Sequence, residues 1–440
     1  MANQTTNETR RPGAIFRWTV LFFISMAMFG NYYIYDSISP LADVLKAQLH
    51  FSDANIGLLN AIYSFPNIIM VLIGGIIIDR IGTRKSVFLF TLLVMIGATV
   101  TALYGNIWTM ATGRLLFGLG AESMIVAITT IIARWFKGKE LSFAFGLNLT
   151  FARLGSFIAL NSPSWGAQLY SYWQRPLWVT VIAGVIAVVF ITIYYILDLL
   201  ASKRYEMPAE GHTDKVELRE IFNFGRGFWL ITALCVTFYS AMFPFQTFAI
   251  KYFQEAHGTS REVGGNLSSM LTLAAMIFTP LFGLLADRTR HKAHLMMFGS
   301  LLIIPVYLLM AYKVDLATPL GLHGFFNLNI AFFDIHTNIP VYLMIPMALM
   351  GIAFSLVPAV MWPTVSLVVD NTKLGTAYGL MTMIQNIGLF GFNLLIGGIN
   401  DTYGASASNP AGYNAGMWVF STLGFLGLIF AYFLNKTETH

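Results

Sequence analysis

Twelve runs of about 20 predominantly apolar residues, separated by short polar loops, leave this chain few ways to fold. They fall near 16–37, 55–78, 86–105, 108–133, 140–163, 175–198, 226–252, 263–286, 293–312, 339–363, 374–398 and 413–434. Each is long enough to cross a bilayer, where only a helix or a closed barrel satisfies the peptide groups internally. Only 11% of the 440 residues are charged, against about 25% in soluble domains. The expected class is an all-α, multi-pass membrane protein. Its one cysteine, Cys235, lies inside an apolar run, which excludes an intrachain disulfide framework and a thiol metal site. No cofactor is expected. The first run starts near Phe16 with no small-residue cleavage site behind it, so it reads as a span and not a signal peptide.

The runs divide six and six around a polar stretch. This predicts an N-terminal six-helix bundle over 1–200, a central loop over 201–225 and a second bundle over 226–440, related by pseudo-symmetry. The halves echo one another in sequence. After the second run stands Gly75-Ile76-Ile77-Ile78-Asp79-Arg80-Ile81-Gly82-Thr83-Arg84-Lys85; after the eighth stands Gly283-Leu284-Leu285-Ala286-Asp287-Arg288. A second echo joins runs five and eleven. Gly146 precedes Arg153 as Gly379 precedes Asn386, and each is followed by a residue and then glycine. One half carries a charge where the other carries a neutral amide.

Most of the 26 Lys and Arg residues fall in loops on the side of the termini. The net charge of +5 therefore reads as topology, with both termini cytoplasmic, and not as a nucleic-acid surface. The long loop from Tyr312 to Ile339 is expected on the opposite side, as a lid over the mouth or an ordered spacer on the membrane surface.

Two ionisable residues break the apolar pattern, Glu122 in run four and Arg153 in run five. At 1.5 Å per residue they lie roughly 16 and 20 Å from the inner ends of their helices. Both depths are near the middle of a hydrocarbon core about 30 Å thick. Charges at that depth are costly and mark a site or a water-filled path. The pair could be structural glue. Alternatively, Arg153 forks onto a substrate carboxylate, while Glu122 accepts an ammonium or carries a proton. Further candidates for the lining are Tyr32 and Tyr35, Tyr239, Gln246 and Lys251, and Gln385 and Asn386. Arg114, nearer the outer end of run four, suits a gating or structural role. The Gly-x-x-x-Asp-Arg loops suggest a conformational latch built from Gly75, Asp79, Arg80, Gly82, Arg84, Asp287 and Arg288.

With twelve spans and two copies of that loop, the chain resembles the major facilitator superfamily throughout. A closer likeness is carried by Gly113-Arg114-Leu115-Leu116-Phe117-Gly118, Glu122-Ser123, Trp135-Phe136-Lys137-Gly138-Lys139-Glu140-Leu141 and Ala152-Arg153-Leu154-Gly155-Ser156. Phe243-Pro244-Phe245, Met361-Trp362-Pro363 and Gly375-Thr376-Ala377-Tyr378-Gly379 add to it. These look like the lysosomal dipeptide transporter family. The resemblance implies uniport of dipeptides by alternating access. It also implies that Glu122 and Arg153 contact the two backbone ends of the substrate. Animal members work with a glycosylated accessory membrane protein. The short termini and compact loops look prokaryotic, so a bacterial inner membrane is expected, with a monomer and no accessory subunit. Asn3 and Asn7 fall on the cytoplasmic side, where glycosylation is not expected.

The main alternative is a proton-coupled symporter or exchanger of small organic anions or amino acids. Drug efflux is disfavoured because run five lacks a Gly-Pro-rich antiporter motif. The Glu-x-x-Glu-Arg pattern of proton-coupled peptide carriers is missing from run one. The sequence carries no nucleophile–base set and no metal-spaced His/Cys cluster, so an enzyme is not expected.

Overall fold

Lipid offers the peptide group no partner, and the apolar runs answer by coiling into helices. The computed structural model describes residues 12–136, 140–205, 224–289, 291–322, 324–330, 335–370 and 373–438. Outside these fall most of the expected central loop with Lys215 and Arg219, the basic residues Arg10, Arg11, Lys137, Lys139 and Arg290, the sites at Asn3 and Asn7, and the loop residue His323.

The first half contributes α1 (Ala14–Asp36), α2 (Asp53–Ile81), α3 (Thr83–Leu103), α4 (Ile107–Trp135), α5 (Leu141–Leu160) and α6 (Gln174–Arg204). The second contributes α7 (Arg226–His257), α8 (Arg261–Arg288), α9 (Lys292–Ala311), α10 (Val341–Val368), α11 (Leu374–Thr402) and α12 (Asn414–Glu438). Among the described residues, eleven candidate spans are straight enough to count singly. The twelfth, α2, is bent by 57° between Met70 and Ile73. An even number of crossings puts both chain ends on one side, here the terminus side; the other is the distal side.

Each half has its own core. Val20, Ile24, Phe90, Phe117, Met124 and Ile128 pack in the first, and Phe228, Phe245, Tyr307, Met347 and Met381 in the second. Ala42 and Ile56 of the first half join the second core, so the bundles meet near the distal ends of α1 and α2. Apolar side chains such as Ile182, Val185, Ile186 and Val189 of α6 face outward, as suits a surface solvated by acyl chains.

Polar residues stop and start these helices. On the distal side Ser52 and Asn55 form a reciprocal cap on α2. Asn106 accepts from the Trp108 amide at 2.9 Å to begin α4, and Ser260 accepts from the Val263 amide to begin α8. Such caps satisfy amides that have no partner within the helix. On the terminus side Gly82 turns the chain from α2 into α3 with φ of 84°, a conformation that favours glycine.

The loop over 312–339 carries a short hairpin. Phe325–Ile330 (β1) and Ile335–Pro340 (β2) pair antiparallel, with Phe325 opposite Pro340 and Ile330 opposite Ile335. Asn266 of α8 donates to Thr337 at 2.7 Å. Among the described residues, the hairpin's main contacts outside itself are with α8 and α10, which places it on the second bundle.

Candidate functional site

Glu122 and Arg153 are half-buried and line one cavity of about 260 Å³ between the bundles. Arg153 comes from α5, which Gly155 allows close to α1: a Cβ there would clash with the main-chain carbonyl of Phe29. That approach sets the Arg153 guanidinium beside the Tyr32 ring, 6.0 Å from its centroid. Phe354 of the second bundle lies on it at 5.3 Å. Cation–ring contacts of this kind hold a guanidinium without using its N–H donors. Glu122 accepts a hydrogen bond from Tyr63 at 3.3 Å. Among the described residues, no ion pair joins Glu122 to Arg153, and none accepts a hydrogen bond from the Arg153 guanidinium.

The rest of the wall comes from both halves. Asn31, Tyr32, Tyr35, Tyr63 and Ile125 face Tyr239, Phe243, Trp362, Thr382, Gln385, Asn386 and Leu389. Of the residues expected from sequence, Glu122, Arg153, Tyr32, Tyr35, Tyr239, Gln385 and Asn386 are thus brought together. Tyr63, Trp362 and Thr382 were not anticipated as lining. A tyrosine in an apolar helix gives no signal of its own, although Trp362 stands in a motif that marked the family likeness.

Gln246 and Lys251 are not in this cavity. Gln246 lies on the distal side of Tyr35 and Phe243, beside Asn60 and Thr247, and its main-chain carbonyl accepts from the Ser39 hydroxyl at 2.5 Å. Lys251 is wholly buried. Its ammonium donates to both oxygens of Asp53, at 2.7 and 2.8 Å, and to the Tyr413 hydroxyl at 2.9 Å. Glu255 lies 3.2 Å away and accepts from Tyr413. A lysine one to two turns beyond a cavity wall looks identical in sequence to one on the wall. Only the carboxylate facing it, on a helix of the other bundle, distinguishes them.

Lys251 belongs to a seam of polar contacts that closes the distal side. Asp401 of α11 accepts from the backbone amides of Asp53 and Ala54, each at 2.8 Å. Arg261 of α8 pairs with Asp43 at 2.5 Å. Asn60 donates to Thr247 at 3.2 Å, and Thr247 donates on to Asn393 at 2.9 Å. Arg114 is almost fully buried and donates to Asn60 Oδ1 at 2.9 Å and to the carbonyls of Leu59, Ile34 and Tyr35. It therefore ties α1, α2 and α4 together behind the seam.

On the terminus side Asp79, Arg80, Asp287 and Arg288 are exposed and Gly75 is buried. Arg84, expected in the latch, binds α6 of its own bundle in this state. It donates to Asp198 at 2.7 Å and to Ser202 at 2.8 Å. Asp198 is wholly buried and also meets Trp135 Nε1 at 3.1 Å and Arg134 at 3.6 Å. This cluster was missed in the sequence, although a carboxylate inside an apolar run is the same signal that drew attention to Glu122.

Two six-helix bundles, sealed together on one side and enclosing a polar cavity between them, define a membrane transporter that works by alternating access. The sequence profile of the Major Facilitator Superfamily matches residues 21–332 and 245–440, and the chain belongs to that superfamily. It is 32% identical to the lysosomal dipeptide transporter MFSD1 of Bos taurus over 401 residues, covering 88% of this chain and 80% of the relative. Against the Homo sapiens protein of that name the identity is 32% over 401 residues, covering 88% and 81%. A galacturonate transporter of Dickeya chrysanthemi is 27% identical over 164 residues, 37% of this chain and 47% of the relative. Among solved structures, a bacterial homolog of the human lysosomal transporter Spinster, inward-facing and occupied, matches with a TM-score of 0.73. It has 17% identity and covers 97% of this chain and 98% of that one. The nucleoside transporter NupG matches at 0.71 with 15% identity, covering 96% and 99%.

Proposed function

We propose that the protein is a dipeptide uniporter whose central cavity holds the substrate by its two backbone ends. One observation carries this reading: two opposite charges face a single cavity and are not joined to each other. A pair serving only as glue would be in contact, as Lys251 and Asp53 are. Arg153 offers free donors in a planar fork suited to a carboxylate. Glu122 offers an acceptor suited to an ammonium. The relatives named for dipeptide transport support the choice of substrate. Recognition at the termini leaves side chains to the aromatic wall of Tyr35, Tyr239, Phe243 and Trp362, whose apolar faces and polar tips suit mixed chemistry.

In this reading the two bundles rock about the cavity. The distal seam holds the state described here, and the Gly75–Arg84 and Asp287–Arg288 loops latch the opposite one. The bias of basic loop residues supports a cytoplasmic terminus side and thus an inward-facing state; the compact loops support a bacterial inner membrane and no accessory subunit. Purified protein in liposomes, loaded with a pH dye and given a dipeptide gradient, tests the assignment. Uptake without proton flux is expected. Coupled acidification would favour a symporter, with Glu122 as the proton carrier. Preference for a small monocarboxylate over every dipeptide would replace the substrate class.

A further inference from the structure

A second cavity of about 460 Å³ adjoins the central one between α5, α8 and α10. The two share three residues, Arg153, Tyr239 and Trp362. The indole N–H of Trp362 donates to the Tyr239 hydroxyl at 2.9 Å, so these polar tips are partnered to each other. What the two residues offer the second cavity is ring surface. The rest of its wall is mostly apolar, including Leu149, Met276 and Pro358, with two threonines, and among the described residues Arg153 is the one charged residue lining it. Phe354 forms part of this wall and also stacks on the Arg153 guanidinium at 5.3 Å.

We propose that this second cavity is a subsite for the side chain of the residue whose carboxylate Arg153 holds, and that it takes large apolar side chains. The inference rests on the dipeptide reading above. In a dipeptide the α-carbon next to the carboxylate carries the C-terminal side chain. With the carboxylate on Arg153, that side chain starts at the common boundary of the two cavities. One direction leads toward Glu122 and is filled by the rest of the substrate; the other leads into the apolar chamber. Burying a leucine or phenylalanine there removes apolar surface from water, an effect of about 10- to 100-fold in affinity. The chamber does not favour a second charge, since among the described residues its lining offers neither a carboxylate nor another cation. The protein thus selects at the C-terminal residue, for apolar bulk.

Binding of Gly-Gly, Gly-Phe and Phe-Gly to the purified full chain, by calorimetry or by competition for uptake into liposomes, tests this. Gly-Phe is expected to bind about tenfold or more tightly than both of the others. Ala359→Phe, which places a ring in the chamber, is expected to bring the ratio of Gly-Phe to Gly-Gly affinity close to one. If wild-type protein binds Gly-Phe and Phe-Gly equally, the chamber is only a passage and the subsite falls while the dipeptide reading stands. If none of the three binds, the dipeptide reading itself falls and the subsite with it. The wild-type comparison decides the matter even where the variant fails to fold.

Discussion

The distal seam and the central cavity are built from the same kinds of residue and treat them in opposite ways. At the seam Lys251, Asp53, Glu255 and Tyr413 saturate one another inside 3.2 Å. Among the described residues, Glu122 has in the cavity one long hydrogen bond from Tyr63, and Arg153 has aromatic faces alone. Burying a charge is costly in both places. Where a partner stands opposite, that cost is offset within the protein and the contact serves to close it. Where none does, the offset is left for a ligand. Charge in a membrane helix therefore marks two different functions, and the partner decides which.

Arg153→Ala breaks the comparison most completely. It should abolish uptake while leaving the unfolding midpoint near wild type, because among the described residues Arg153 makes no hydrogen bond or ion pair, only ring contacts with Tyr32 and Phe354. A collapse in thermal stability instead would make it glue. Next comes Lys251→Met, which strands Asp53 in the seam with only the half-exposed Lys46 at 3.7 Å. Removing one member of a buried pair costs about 3–5 kcal/mol. A lowered melting temperature and greater labelling of distal cysteine probes are expected. Adding Asp53→Leu should recover part of the loss, since the stranded carboxylate goes too. If Lys251→Met lowers affinity without touching stability, the lysine is a ligand after all. Glu122→Gln should weaken free dipeptides by about tenfold, the scale of one charge-assisted bond, and leave N-acetylated dipeptides unchanged. Equal loss for both would remove the ammonium from Glu122. The smallest effect belongs to Arg17 and Glu140, paired at 3.3 Å with Glu140 half exposed. Glu140→Gln should shift stability by only about 0–1 kcal/mol, measured by the same melt.

Hydropathy alone made the twelve helices and the two halves legible, because a bilayer admits little else. Glu122 and Arg153 were legible because charge within a span is rare. The same rule, followed without knowledge of partners, placed Lys251 in the cavity and passed over Asp198, while Asp53 lies just before the second run and gave no such signal. Tyr63 left no trace, since an aromatic on a helix reads as packing until its hydroxyl is seen to reach Glu122. The hairpin was hidden for a different reason. Phe326-Asn327-Leu328-Asn329-Ile330 does alternate with period two, but so short a run inside a long loop competes poorly with the helical signal around it.

Asp401 grips two main-chain amides rather than a side chain. Every residue type but proline carries that donor, so substitution at Ala54 leaves the grip whole, while almost any replacement of the aspartate releases it. This clasp is vulnerable from one jaw only: drift at Ala54 leaves it shut, and drift at Asp401 opens it.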